Sequence, residues 1–473
     1  MSASSAKLGD AGRHGGLRLL TTHARTSPST PSAIELGLDP EPTSWANLVT
    51  HNTSERATRF REQLGLPIDK PIIMTGHQAQ LWHPGILAKL FAAQSVASQV
   101  GGVVVWLIVD MDTNEALSLR VPVRHAGGAM TDELFDFTPM DKRAVRRATG
   151  ATPAAQPAPI RFGPEIKPAT PEIAERLERL HRAIAAHADE SSIAMQVTRA
   201  IFDVLAPVSQ SPTIVAPTKF AETDLYQEVL ALAADDPGHF AGTFNDAVTN
   251  VPDSGVAPVS LGNEELPMWR LDDRGRRERA RASDAKRGEA LLPGGLLMTG
   301  LMRLAGCDLF IHGTGGRSYE PVNDRWLPHL IDAPLAPFAA ATATLTLDFD
   351  DHQPATQQDA DHAAWLAHHA RHDPSLVGED EDERKKRELA AQIESLPRHS
   401  RERRALYEQI LAILERTRTE HAEEIRRYRN DAERTKMLAM EHRLRTDRTW
   451  SVALHSPDRL AKLREAIAAR FAE

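Results

Sequence analysis

Apolar and polar positions fall into distinct blocks along this chain, and the clearest block covers residues 71–114. Pro71 to Thr75 is a short apolar run closed by Gly76, and Val103 to Val109 is almost wholly apolar and β-branched. Runs of this kind predict strands covered on both faces, which usually lie parallel. Between them Ile86, Leu87, Leu90, Phe91 and Ala97 recur at helical spacing behind Pro84, a residue suited to a first helical turn. Strand, helix and strand in this order make a βαβ unit.

Further along, LLPGGLLMTGLMRLAGCDLFIHGTGGRSYEPVND repeats that grammar with the helix first. Leu296, Leu297, Leu301 and Leu304 mark the helix, Asp308 to Ile311 a strand, and the segment from His312 to Ser318 a glycine-rich loop. Ser54 to Leu64 predicts a short helix, and Leu119 to Val123 and Thr213 to Ala216 predict strands. Helices are expected across Ile173 to Ile184, Ile193 to Leu205 and Thr223 to Ala234, with an Ala- and Pro-rich connection from Ala151 to Pro171. LPMWRLDDRGRRERAR predicts a hairpin turning near Asp273, Arg274 and Gly275 that would cover the sheet edge or the site.

After Asp348 the chain changes character. Leu389, Ile393 and Leu396 line one predicted helix, Pro397 divides it from the next, and Leu406, Ile410, Ile413, Leu414, Ile425 and Tyr428 line the second. An antiparallel helical hairpin or coiled coil is expected there, and its apolar seam suggests a homodimer through this arm. Trp450, Val452 and Leu454 alternate before Pro457, which predicts a returning strand. The expected fold is α/β, a mostly parallel sheet with helices on both faces and a C-terminal helical arm. Its parts are a flexible extension at 1–32, a core at 33–350 with inserted helical and hairpin segments, the arm at 351–445 and a segment at 446–473 that rejoins the core.

Composition narrows the function classes. With 473 residues, 41% of them hydrophobic and 26% charged, the chain can bury a sizeable core and carry long solvated helices. A formal net charge of -9 argues against a dedicated nucleic-acid binder. No apolar run approaches the roughly 20 residues that span a bilayer, so no membrane association is expected. Cys307 is the single cysteine, which excludes an intramolecular disulfide and suggests a packed thiol in a cytoplasmic protein. Cys and His show no zinc-site spacing, and Asp348, Asp350, Asp351 and His352 read as a loop, so neither zinc nor haem is expected.

Ligands of open α/β sheets sit beyond the carboxyl ends of the strands. Three polar clusters are expected to meet there. The first is Thr75, Gly76, His77, Gln78 and His83, and the second is Asp110, Asp112, Thr113 and Asn114. The third is His312, Gly313, Thr314, Gly315, Gly316, Arg317 and Ser318. Each has a plainer reading: histidines satisfying a loop, aspartates capping a turn, glycines making one. The glycine-rich segment has neither Walker nor GxGxxG spacing. Convergence of three such loops on one sheet edge is what favours a site. Arg274, Arg276, Arg277, Arg279 and Arg281 add a basic cluster able to approach an anion or simply to be solvated.

TGHQAQLWHPG followed by VVVWLIVDMDTNEA resembles the TGQQ signature, helix and acid-ended strand of the BshC family, assigned to the cysteine-adding step of bacillithiol biosynthesis. HGTGGRSYEPVND is similar to that family's second glycine-rich loop, and the charged helical segment matches its inserted coiled coil. His77 stands in place of the first glutamine, and His83 and Pro84 in place of glycines. The resemblance implies a Rossmann-like core related to class I nucleotidyltransferases and a ligase-like enzyme joining an amino acid or amine to a small acceptor. It implies ATP, ADP or another nucleotide as cofactor, with Mg²⁺ as a companion of a nucleotidyltransferase. His77 and His83 would stabilise developing charge, Asp110 and Asp112 would orient the amine or hydroxyl, and Gly313 to Ser318 with Thr75, Gly76, Gln78 and His312 would hold the anion. The alternatives are a nucleotidyltransferase releasing pyrophosphate and a non-catalytic Rossmann protein that docks or dimerises through its arm.

Overall fold

The computed structural model describes residues 34–138, 146–347 and 355–472; the expected extension at 1–32 and the segment holding Asp348, Asp350, Asp351 and His352 lie outside the described residues. Six strands form the central sheet: β1 (Glu35–Asp39), β2 (Ile72–Gln78), β3 (Val103–Val109), β4 (Thr213–Val215), β5 (Leu309–His312) and β6 (Phe338–Thr344). They lie in the order β1-β6-β5-β2-β3-β4. All neighbours run parallel except β1, which is antiparallel to β6 at one edge.

The near-continuous apolar strands divide their side chains between two cores, as a sheet covered on both faces requires. Ile73, Trp106, Ile108, Leu309 and Ile311 enter one core, with the helix α1 (Pro84–Val100), the Ile193–Leu205 helix and the C-terminal helix Pro457–Ala472. Ile72, Met74, Val105, Leu107 and Phe310 enter the other, with the Glu55–Gln63 and Pro237–Thr249 helices and α2 (Thr314–Ile331). The fold is therefore α/β with a mostly parallel, Rossmann-like sheet between two helical layers.

Two local departures from the sequence reading shape the site. The strand expected to end at Thr75 continues to Gln78, pairing Gly76 with Leu107 and His77 with Ile108. Only glycine allows that approach, because a Cβ on Gly76 would lie 2.0 Å from the Leu107 carbonyl oxygen. The segment after β5 is not an extended glycine-rich loop. Gly313 caps α2, and Thr314 to Ser318 form its first turns. Burial of Val322, Trp326, Leu327 and Ile331 carries this helix and overrides the glycines' weak propensity.

Other elements fall near their expected places. The Leu119–Val123 strand extends over Ser118–His125, but in a separate antiparallel sheet with Met130–Asp136 and Ile166–Pro168. The hairpin pairs Glu265–Leu271 with Arg277–Arg281, and a third strand, Leu291–Pro293, joins its other edge. Its turn is closed by the Asp272 carboxylate, which accepts from the backbone N–H groups of Arg274 (2.9 Å) and Arg276 (2.8 Å). Cys307 is fully buried, and burial raises its thiol pKa, consistent with a packed thiol.

The arm holds four helices, Gln357–His369, Asp380–Ser395, Arg401–Glu420 and Ala422–Thr446, with the first packed on the last and the second on the third. Leu389 and Leu414 of the predicted seam are buried, while Ile393, Leu396, Leu406, Ile410, Ile413, Ile425 and Tyr428 are half-buried. The last segment rejoins the body, but as a 3-10 turn at Val452–Leu454 and a helix rather than a strand. Val452 N–H donates to the Trp82 carbonyl (2.7 Å), and Trp450 buries its ring while its indole N–H donates to the Leu444 carbonyl (2.7 Å). Among the described residues, no helix is long and apolar enough to cross a membrane.

Candidate functional site

A cavity of about 660 Å³ opens at the carboxyl ends of β2, β3 and β5. Gly76, His77 and Gln78 at the end of β2, His83 before α1, Asp112 beyond β3, and His312 to Gly316 around the start of α2 all line it. The hairpin closes another side with Trp269, Arg277 and Arg279, and Leu296, Met298 and Phe244 supply apolar wall. Residues from all three sequence clusters thus share one space.

Six expected members lie elsewhere, Thr113 among them. Thr75 is buried within the sheet, its hydroxyl donating to the Ile311 carbonyl (2.8 Å), because its side chain points along the strand interface. Asp110 is buried beside the cavity rather than in it: Thr218 donates its hydroxyl to the carboxylate (2.5 Å), and Gly150 packs against it with no room for a Cβ. Desolvation raises the Asp110 pKa to about 6. Arg317 and Ser318 are exposed on α2 because that segment is helical, and Arg317 pairs with Asp39 (3.2 Å). Asn114 also lies outside the lining, where it ties the loop after β3 to the Ala79 carbonyl (2.5 Å).

The two histidines near β2 are held neutral. Gln80 Nε2 lies 2.8 Å from His77 Nε2, an arrangement in which the amide donates and the ring proton rests on Nδ1. Burial first, then Lys89 and His83, lower the His77 pKa to about 2. His83 is the N-cap of α1, and its Nδ1 accepts from the Gly85 N–H (3.1 Å), which leaves its proton on Nε2. Gly85 is needed there, since a Cβ would lie 2.8 Å from His83 Cε1. Burial, Arg448 and Lys89 lower the His83 pKa, with Asp447 opposing them.

His312 stacks on Phe310 at 4.2 Å between centroids, with Glu320 Oε1 3.3 Å from its Nε2. Burial holds its pKa down, at about 4, against the pull of Glu320. Glu320 is itself buried and accepts from Thr299 (2.5 Å), Arg303 (2.7 Å) and Asn323 (3.1 Å). A Cβ on Gly316 would lie 2.3 Å from His312 Cβ, so this glycine lets the helix close over the ring.

The groups that sequence reasoning left out are mostly cationic. Lys89 is buried in α1, its ammonium donating to the Gly76 carbonyl and lying 5.9 Å from the Trp106 ring centroid. Arg448 also lines the cavity. Of the basic hairpin cluster, Arg277 and Arg279 reach the cavity, stacking on Trp269 at 4.2 and 4.1 Å. Arg276 turns away to Asp272 (2.6 Å). Asp112, the one carboxylate in the lining, is ion-paired to Arg277. The signal for Lys89 was visible: it is the sole charge in the 84–100 helix. Nothing in the pattern showed where that side chain pointed.

Neutral imidazoles with fixed tautomers, cationic side chains and the N-terminal turns of two helices together suit an anionic small molecule. Among the described residues, no group of three or more His, Cys, Asp or Glu is placed to hold a metal ion. The site and fold define an α/β protein with a cavity of apolar walls and convergent cationic and imidazole groups at the carboxyl edge of its sheet. No protein-family model matches the chain, and no curated protein matches it. Among solved structures, tyrosyl-tRNA synthetase complexed with L-tyrosine from Archaeoglobus fulgidus is similar over 91% of this chain and 99% of that chain, at 13% identity and a TM-score of 0.26. A likeness this low carries no inference about activity.

Proposed function

We propose that the protein is an enzyme that binds a nucleotide or another anionic small molecule in this cavity and ligates an amino acid or amine to a small acceptor, as the BshC resemblance implies. The observation that carries the proposal is the meeting of His77, His83 and Lys89 with the start of α2 on one cavity. Phosphates suit the donor set of Lys89, Arg277, Arg279 and Arg448. Residues for a Mg²⁺ site do not fit equally well, because Asp112 is already engaged by Arg277, and no step is routed through a metal.

In this reading His77 and His83 act as neutral hydrogen-bond donors to negative charge that develops on the reacting group. A donor already oriented before reaction stabilises such charge without reorganisation, and a neutral imidazole at a helix N-terminus is suited to it. Asp112 orients the incoming amine while Arg277 holds its carboxylate in place. Asp110, outside the cavity, instead fixes the segment around Gly150 that leads to the hairpin.

Incubating the full chain with ATP and a panel of amino acids and small acceptors should yield ADP, or AMP with pyrophosphate, only when a matching pair is present. Pyrophosphate release without amino-acid ligation would instead assign a nucleotidyltransferase. His77→Ala should slow turnover about 10²- to 10³-fold, the range for removing one charge-stabilising donor. His83→Asn retains an N-cap side chain and should also slow turnover without loss of folding. Unchanged rates in both variants would refute their roles.

A further inference from the structure

Lys89 raises a question of charge that the proposed function does not answer by itself. Its side chain is 95% inaccessible, yet among the described residues no carboxylate lies within ion-pair distance of it. Its surroundings are the Gly76 carbonyl, the Trp106 ring and three histidines on separate elements, His77 at the end of β2, His83 before α1 and His312 at the end of β5. All three imidazoles are held neutral, and an imidazole has no anionic form here that could balance an ammonium. A buried ammonium left in this condition is costly, and burial alone lowers its pKa to about 7.

The stem of Lys89 runs beside the cap of α2, where a Cβ on Gly313 would lie 3.9 Å from Lys89 Cδ. Gly316 turns its N–H back to the Gly313 carbonyl (3.1 Å), while the N–H groups of Thr314 and Gly315 find no acceptor among the described residues. Thr314 and Gly315 line the same cavity as Lys89. First-turn amides beside an ammonium form a complementary environment for a group with two or three anionic oxygens.

The geometry points to Lys89 and the first turn of α2 as the subsite for an oxyanion of the substrate, a phosphoryl or carboxylate group that completes the charge balance the protein leaves open. The inference rests on the proposed function for the location of the substrate, and adds which group of the substrate enters first-turn contact and what holds it. Binding brings the anion beside an amine that is largely neutral at pH 8, so the complex takes up a proton on that amine. An alternative chemistry for the same side chain is attack of a neutral amine on a substrate carbonyl, which forms an imine and releases water.

Titration calorimetry on the full chain at pH 8, with sulfate as the tetrahedral probe and acetate as the carboxylate probe, separates these outcomes. Neither probe titrates at that pH, so heats measured in buffers of different ionisation enthalpy report the proton taken up by the protein. The expected result is binding of at least one probe with net proton uptake, weakened tenfold or more in Lys89→Met and unchanged in Arg317→Ala, whose side chain lies outside the cavity. Preference for sulfate would assign a phosphoryl group, and preference for acetate a carboxylate. Equal binding by Lys89→Met, absence of binding by either probe, or borohydride trapping of pyruvate on Lys89 would each overturn the inference. Loss of turnover with oxyanion binding intact would count against the proposed function alone.

Discussion

The two ends of the central sheet each bury a positive charge, and they treat it in opposite ways. At the amino ends of β2 and β5, Arg61 is buried against Asp308 (3.0 Å). The Asp308 carboxylate also accepts from the backbone N–H groups of Ile72 (2.7 Å) and Asn52 (2.6 Å), and Arg61 donates to the Ala305 carbonyl (3.0 Å). At the carboxyl ends, Lys89 has a carbonyl and, among the described residues, no carboxylate. A buried ion pair fixes the fold, whereas in the proposed reading an unbalanced cation facing a cavity reserves space for a ligand. In that reading the contrast gives one end a structural role and the other a ligand-binding one.

The largest expected effect breaks the ion-paired end. Asp308→Ala leaves Arg61 charged and unpaired and removes two acceptors from the backbone, so chemical denaturation should show a loss of about 3–5 kcal/mol. Lys89→Met acts in the other direction. Replacing an uncompensated buried ammonium by an apolar chain of similar length should raise stability by about 1–3 kcal/mol while anion binding falls. A variant that lost stability instead would show that Lys89 is a structural cation like Arg61.

Proton linkage sharpens the same contrast. Burial lowers the Lys89 pKa to about 7 from its ordinary 10.5, so between those limits the unfolded chain binds the proton more readily. Its contribution to stability is therefore least favourable below pH 7 and improves as pH rises toward 10.5. The increment should vanish in Lys89→Met, as read from denaturation midpoints of both proteins across that window. The lowered His77 pKa gives a separate loss, as pH falls below 6.5 toward 2, because the unfolded imidazole gains a proton first.

The smallest effect is expected at the cavity rim. Asp112 and Arg277 are about one-quarter exposed, and Asp112→Asn should change stability by no more than about 1 kcal/mol. Its influence should appear instead in the Michaelis constant for the amine, because the pair positions one wall of the cavity. A large fall in melting temperature with unchanged kinetics would make Asp112 a structural latch.

Much of the fold was legible because local pattern and tertiary demand agreed. Val103–Val109 read as a doubly covered strand and is one, helices begin after Ser54 and Thr223 as their ranges predicted, with both residues as N-caps, and the DDRG turn made its hairpin. The glycine-rich segment misled because glycine spacing reports local freedom, while the buried face of α2 decides its state. Trp450 to Leu454 alternated like a strand, yet anchoring at Trp82 and burial of the tryptophan made a short turn. At the site, His77, His83 and the segment from His312 to Gly316 were readable from their positions after strands. Lys89 was not, since helical periodicity gives a face but not the cavity beyond it. Nor could the pattern distinguish Asp110 from Asp112, two positions apart but placed on either side of the cavity wall.

Anomalous scattering from selenate, soaked into crystals of the full chain, tests the central claim most directly. Oxyanion density within hydrogen-bonding distance of Lys89 and the amides of Thr314 and Gly315, lost in Lys89→Met crystals, is the predicted result. Selenate bound only on the outer surface, with the cavity empty at saturating concentration, would contradict it.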